Sequence, residues 1–215
     1  MKAIFSKVAI VGLGLIGGSL ALEIKKRKMA TQVFGISTSA ENREEALRRH
    51  AVDEAFAKGG DFLSEVDLVV VATPVGKIVP ILQQLKPFLK TDALVTDVGS
   101  VKSDIIRKAS KIKGLNFIGG HPIAGTEKSG MKAAQLKLFQ KKNWILTPTP
   151  KVNSDLRKKL IRWIEQLGAK VILMDPSEHD RIFAAVSHLP NLLGYSLANT
   201  VASFKESKML GMAGS

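Results

Sequence analysis

The residue of this chain best suited by sequence to move a proton is His121. It lies in Gly119-Gly120-His121-Pro122-Ile123-Ala124-Gly125-Thr126-Glu127, directly after a strand-like run at residues 116–118. An imidazole on a loop is free to meet a substrate, and its ordinary pKa lets it serve as a general base near neutral pH. The plain alternative is a solvated loop histidine. A second segment, Asp97-Val98-Gly99-Ser100-Val101-Lys102, also ends a strand-like run and offers a hydroxyl at Ser100. The other histidines have less context. His50 and His179 read as surface residues, and His188 either lines a cleft or packs against a backbone carbonyl. No two histidines have metal-ligand spacing and cysteine is absent, so no catalytic metal is expected.

A third segment points to a ligand. Val8-Ala9-Ile10-Val11 runs into Gly12-Leu13-Gly14-Leu15-Ile16-Gly17, a G-x-G-x-x-G between a strand signal and a helix signal. Gly12 permits the tight turn, Gly14 lets the backbone approach a pyrophosphate, and Gly17 lets the helix pack on the strand. The first helical turn, Leu15 and Ile16 included, then turns free N–H groups toward the phosphates. A glycine turn without a ligand is the weaker reading in this context. The second strand ends in Ser37-Thr38-Ser39, with Arg43 one helical turn on and no acid to pair with a ribose hydroxyl. That favours NADP over NAD, although the same hydroxyls can cap the following helix and Glu41 is near enough to reach a ribose. Thr73-Pro74, closing an apolar run, complete the cofactor-side candidates.

These segments need a scaffold that brings strand ends together. Strand signals at residues 8–11, 33–36, 68–72, 93–97, 116–118, 144–147 and 171–174 alternate with helix signals at 15–28, 40–49, 75–85, 101–110 and 154–167, with a Gly/Pro-rich loop at 119–130. Such alternation implies an α/β, Rossmann-type doubly wound, mostly parallel sheet over residues 1–175. After Asp175-Pro176 strand signals cease. Residues 176–215 read as the start of an all-α domain, either cut short here or completed by another chain. Its Ile182, Phe183, Val186, Leu189, Leu192, Leu193, Leu197, Val201 and Phe204 occupy more than one helix face and expect cover from other helices or another chain, with Pro190 kinking the helix.

Composition excludes little else. A 45% hydrophobic, 24% charged chain of 215 residues is an ordinary globular one. The net charge of +13 is spread over scattered lysines without interleaved aromatics, so it is read as a solvated basic surface that attracts anionic small molecules, not as a nucleic-acid site. No run is long enough to span a bilayer and no signal peptide is recognisable, which makes the cytoplasm the expected location.

The strings D-V-G-S-V-K, then G-G-H-P-I-A-G-T-E-K-S-G, then S-H-L-P, in this order, resemble the prephenate and arogenate dehydrogenases of tyrosine synthesis over essentially the whole chain. The resemblance implies that His121 is the catalytic base, that Ser100 hydrogen-bonds it and the substrate, that Thr126 and Glu127 line the substrate site, and that Ser187 lies near the ring-binding region. It implies a homodimer joined through the C-terminal helix. It also implies oxidative decarboxylation: hydride leaves the hydroxyl-bearing ring carbon for the nicotinamide, carbon dioxide leaves the opposite position, and aromatisation drives both. Two departures stand out. Where many members read S-H-L-P-H, this chain has Asn191, an amide that donates a hydrogen bond but cannot titrate or pair with an amine, which leans toward prephenate over arogenate. The family's G-F-R-D segment and its carboxylate-gripping arginine would begin about where this chain stops, so weak turnover, or a dinucleotide-binding module with little catalysis, is the rival expectation. A β-hydroxyacid dehydrogenase is disfavoured, because the long helix offers no inward lysine where that class carries one.

Overall fold

Continuous apolar runs can be buried only between two layers, and the strands of this chain are of that kind. The computed structural model describes residues 3–149 and 152–203. Strands β1 (Lys7–Val11), β2 (Gln32–Ile36), β3 (Glu54–Phe56), β4 (Leu68–Val71), β5 (Leu94–Asp97), β6 (Asn116–Pro122), β7 (Asn143–Thr147) and β8 (Lys170–Leu173) form one sheet in the order 3-2-1-4-5-6-7-8. The first six are parallel to their neighbours, β7 runs antiparallel to β6, and β8 is parallel to β7. This is the doubly wound, Rossmann-type order with two strands added at one edge.

Alternation of side chains along each strand divides the core in two. Val8, Ile10, Leu68 and Val70 face α1 (Leu15–Lys26) and α5 (Ser154–Gln166), where Leu20, Ile24, Trp163 and Ile164 meet them; α2 (Ala40–Arg48) adds Ala46. Ala9, Val11, Val69 and Val71 face α3 (Val75–Leu85) and α4 (Ser103–Ala109) through Ile78, Leu82 and Ile105.

Three features depart from the sequence-based expectation. Strand β3 is three residues long, too short to show a period. Strand β6 continues past residue 118 to Pro122, because β7 pairs with it antiparallel and sets His121 opposite Ile145. His121 is therefore a strand residue, and the expected loop begins only at Ile123. Helix α4 starts at Ser103 rather than 101, since the N–H groups of Lys102 and Ser103 are taken up by the Asp180 carboxylate at 2.7 and 2.9 Å.

From the end of β6 the chain returns over α1 and α2 before reaching β7. Arg49 holds it there, donating to the Met131 and Ala134 carbonyls at 2.8 Å each, and Asn42 accepts from the Met131 N–H at 2.9 Å. After β8, Asp175 caps α6 (Pro176–Phe183), a π-helical turn follows at Ala184–His188, and α7 (Leu189–Ser203) continues. Pro190 cannot donate to the carbonyl four residues back, and the wider turn before it absorbs that missing bond. On α7, Leu192, Leu193, Tyr195 and Leu197 are 60–73% exposed, so the apolar faces read from the sequence lie uncovered in the single chain. Phe204 falls outside the described residues. Among the described residues no helix is long and apolar enough to cross a membrane.

At the end of β5 the Asp97 carboxylate, fully buried, accepts from the N–H of Gly99 at 2.8 Å and of Gly120 at 3.0 Å and pairs with the equally buried Lys102 ammonium. Replacing Asp97 with Ala strands a buried cation and should cost about 3–5 kcal/mol of unfolding free energy. The double change Asp97→Ala with Lys102→Met should recover most of it. Urea denaturation of the three proteins checks this; equal losses in the single and double variants would contradict it.

Candidate active site

The carboxyl ends of β1, β4, β5 and β6 lie side by side on one edge of the sheet, where open α/β sheets bind ligands. Gly12 follows β1, Thr73 follows β4, Gly99 and Ser100 follow β5, and His121 sits near the end of β6. Three strand spacings, about 14 Å, separate the first from the last.

On the β1 side the turn is built for close approach. Gly12 has φ +99°, and a Cβ there would stand 2.3 Å from the Ala72 carbonyl oxygen; one on Gly17 would stand 1.9 Å from that of Gly12. These two positions serve the chain's own packing. Gly14 differs, because no atom lies within 4 Å of where its Cβ would be, so its bareness leaves open space outside the turn. Helix α1 begins there with no side-chain cap and no acid in its first turn. Leu15 and Ile16 pack their side chains against the core and present only backbone N–H groups to that space. The hydroxyl of Thr73, close to Gly12, is buried without a partner. Pro74 caps α3 with no side-chain bond. Unfilled N–H groups, an orphaned hydroxyl and a bare glycine together fit a phosphate-bearing ligand.

At the end of β2, Ser37 is half-buried and Thr38 exposed. The Ser39 hydroxyl accepts from the Asn42 N–H at 3.2 Å, capping α2. Arg43 donates to the carbonyls of Ser37 and Thr38 at 2.7 and 3.1 Å, which fixes its guanidinium beside the strand end. Glu41 is exposed and paired with Lys132 at 2.7 Å.

Around His121 the arrangement differs from the sequence reading. Its Nδ1 lies 2.9 Å from Nε2 of His179, whose Nδ1 lies 2.8 Å from Oδ1 of Asp180. His179, expected at the surface, is fully buried, because α6 packs against α4 and Asp180 caps α4 from across the gap. The Phe183 ring meets His121 edge-on at 4.9 Å and His179 at 4.6 Å. Burial opposes ionisation of Asp180, but hydrogen bonds from His179, Ser103 and Lys102 outweigh it and hold the carboxyl at about 2. Burial pushes His121 down to about 3, helped by His179, Lys102 and His188. The imidazole is thus not poised near neutrality but held neutral at neutral pH. Burial lowers His179 as well, against the pull of Asp180.

The other candidates are less gathered. Ser100 is half-buried and, among the described residues, makes no hydrogen bond to His121, whose ring is held by His179 instead. Thr126 and Glu127 are exposed, and the Thr126 hydroxyl accepts from the Lys128 N–H at 3.3 Å. Ser187, in the π-helical turn, is partly buried, and Asn191 on α7 is exposed. Among the described residues no three acidic or histidine side chains converge as a metal site. The functional residues that sequence reasoning missed are His179 and Asp180. The available signal was spacing: His179, Phe183 and Ser187 follow one another at four-residue steps, so a helix carries all three on one stripe.

Comparison with known proteins bears on the family and the fold. The sequence profile described as "Prephenate dehydrogenase, nucleotide-binding domain" matches residues 20–173, and "Prephenate dehydrogenase, dimerization domain" matches residues 175–213. A prephenate dehydrogenase of Bacillus subtilis is 34% identical over 202 residues, which are 93% of this chain and 54% of that protein. The chain spans about half the length of the curated relatives first matched. Prephenate dehydrogenase from A. aeolicus, solved in complex with hydroxyphenyl propionate and NAD+, superposes with TM-score 0.88 at 34% identity, covering 94% of this chain and 71% of that one. Synechocystis arogenate dehydrogenase superposes with TM-score 0.82 at 37% identity, covering 96% and 73%. With its nucleotide-binding profile matched over most of its length, the chain belongs to the prephenate dehydrogenase family.

Proposed function

We propose that this chain carries the dinucleotide-binding and proton-accepting parts of a prephenate dehydrogenase, which converts prephenate to 4-hydroxyphenylpyruvate in tyrosine synthesis. The observation that carries the reading is a neutral imidazole, His121, on the same sheet edge as a glycine turn that is open to space at Gly14. When bound, a nicotinamide dinucleotide supplies the hydride acceptor. Gly12, Gly14, Leu15, Ile16, Gly17, Thr73 and Pro74 hold its phosphates and the adjoining sugar. His121 accepts the proton of the substrate hydroxyl as the carbonyl develops, and returns it to the phenolate oxygen once carbon dioxide has left. Ser100, Thr126, Glu127, Ser187 and Asn191 serve as substrate contacts around it.

The cofactor is NADP in preference to NAD. Arg43 is fixed at the end of β2, no acid stands there, and Glu41 is engaged by Lys132. The substrate is prephenate in preference to arogenate, since Asn191 offers no charge to an amine. Residues 1–175 form the dinucleotide-binding unit and the residues from 176 on a second one, helical where described. The bare apolar faces of α7 belong against a second copy of the chain, an association supported by the match of residues 175–213 to a dimerization domain.

Three measurements test these statements. Crossing both cofactors with both substrates should give fastest turnover with NADP and prephenate, and His121→Asn should lower kcat by about 10²–10⁴-fold with little change in dinucleotide affinity. Dinucleotide binding without turnover in any combination would reduce the chain to a binding module. Light scattering should give twice the chain mass, and Leu193→Glu with Leu197→Glu should halve it; a wild-type monomer would end the dimer assignment.

Stability should also follow the histidines. His121 and His179 both have folded-state pKa values below the unfolded value of about 6.5. Protons then bind the unfolded chain preferentially, so stability is complete above about pH 6.5 and falls as pH drops toward the lowered values. Tm should therefore decline between pH 7.5 and 5, and less steeply in His121→Asn; identical slopes would contradict the assignment.

A further inference from the structure

We infer that His179 and Asp180 form a proton relay behind His121 that decides which of its nitrogens serves as the base, an inference that rests on reading His121 as the base.

The argument is one of donors and acceptors. Asp180 is fastened to the start of α4, its Oδ1 accepting from the Lys102 N–H and its Oδ2 from the Ser103 N–H. A carboxylate only accepts, so the 2.8 Å contact to His179 requires a proton on His179 Nδ1. A neutral imidazole with its proton on Nδ1 has a bare Nε2, which must accept. The 2.9 Å contact from His179 Nε2 to His121 Nδ1 is then a hydrogen bond donated by His121. His121 is left with its lone pair on Nε2. Ser103 strengthens the anchor by donating from its hydroxyl to the Pro176 carbonyl at 3.0 Å, tying α4 to the start of α6.

The same wire can carry the proton onward. The substrate O–H bond breaks as an N–H bond forms at His121 Nε2; the Nδ1 proton of His121 passes to His179 Nε2. The positive charge then rests on His179, hydrogen-bonded to the Asp180 carboxylate. Return of the proton to the phenolate oxygen reverses both transfers, and the substrate's hydride and carbon dioxide account for the remaining electron pairs. The charged or titratable groups that bear on the pair are the Lys102 ammonium, Asp180 and His188, with Asp97 paired to Lys102. A cation confined to His121 would face Lys102 without a carboxylate in contact. One ring deeper it has Asp180. His179 and Asp180 are thus positioning residues acting through His121.

Two variants of the full chain separate orientation from transfer. In His179→Leu the acceptor is lost, and in His179→Gln the amide oxygen can still accept from His121 Nδ1 but cannot take its proton. Long-range 1H–15N spectra of histidine-labelled protein should show wild-type His121 protonated at Nδ1 and bare at Nε2. That tautomer should survive in His179→Gln and become mixed in His179→Leu. With prephenate and dinucleotide, kcat should fall by about 10-fold in His179→Gln and about 100-fold in His179→Leu, within the range a general base contributes. KM and dinucleotide affinity should stay within about 2-fold, a split that loss of folding would not produce. A wild-type His121 protonated at Nε2, or unchanged kcat in His179→Leu, would overturn the relay. The spectra require no turnover, so the expected tautomers in a chain that turns over no substrate would support the wiring while removing the dehydrogenase reading.

Discussion

A carboxylate shut away from water must have its oxygens engaged, and the geometry of this site depends on that demand being met at Asp97. The residue ends β5 and reaches three things at once: the backbone just beyond its own strand at Gly99, the backbone of the neighbouring strand at Gly120, and the Lys102 ammonium at the entrance to α4. Gly120 immediately precedes His121. The residue that fixes the turn after β5 therefore also fixes the strand that carries the imidazole. Removing either charge alone would leave the other stranded in a low-dielectric interior, so the two loops are locked together by a penalty rather than by a large net attraction.

The electrostatics around the imidazole follow from the same lock. Lys102 brings a positive charge beneath the site, and Asp97 neutralises it at close range. Burial above all, then the nearby His179 and Lys102, disfavours a protonated His121, which keeps the ring available as an acceptor. Asp180 supplies the compensating negative charge one hydrogen bond further back, saturated by backbone N–H groups and held ionised at about 2. A base whose conjugate acid is disfavoured in the resting state, yet linked to a site that tolerates the charge, suits a reaction in which a proton is borrowed and given back. The net charge of +13 adds a general attraction for anionic ligands at longer range, screened over about 10 Å at ordinary salt.

Much of this was legible in the sequence because it rests on local rules. The glycine turn declares itself by three glycines between a strand and a helix, and the alternation of runs specified a doubly wound sheet with most boundaries within two residues, β6 four residues short and β3 unseen. The family strings singled out His121. What stayed hidden depended on contacts between distant segments. Strand β6 runs to Pro122 only because β7 pairs with it, and nothing local in Gly119-Gly120 favours a strand. His179 looked like a surface residue because burial of a helical histidine depends on which helix lies opposite, and α4 comes from 76 positions earlier in the chain, counting from Ser103 to His179. The lowered pKa of His121 is likewise a product of enclosure, which no motif records.

The position of α6 bears on how the two units of this chain relate. Profiles and sequence patterns both change character near residue 175, yet the hydrogen bonds that orient the His121 ring cross that boundary. The sheet edge provides the glycine turn and the imidazole; the helical segment provides His179, in contact with that imidazole, and the Phe183 ring beside it. The residues before 175 hold every glycine of the turn and the imidazole itself, but not that imidazole's hydrogen-bond partner. Asp180 capping α4 is the converse debt, because α4 has no side-chain cap of its own and its first N–H groups are satisfied from α6. Each unit thus completes the other's unsatisfied backbone or side chain, and the division seen in the sequence is one of secondary structure, not of chemistry.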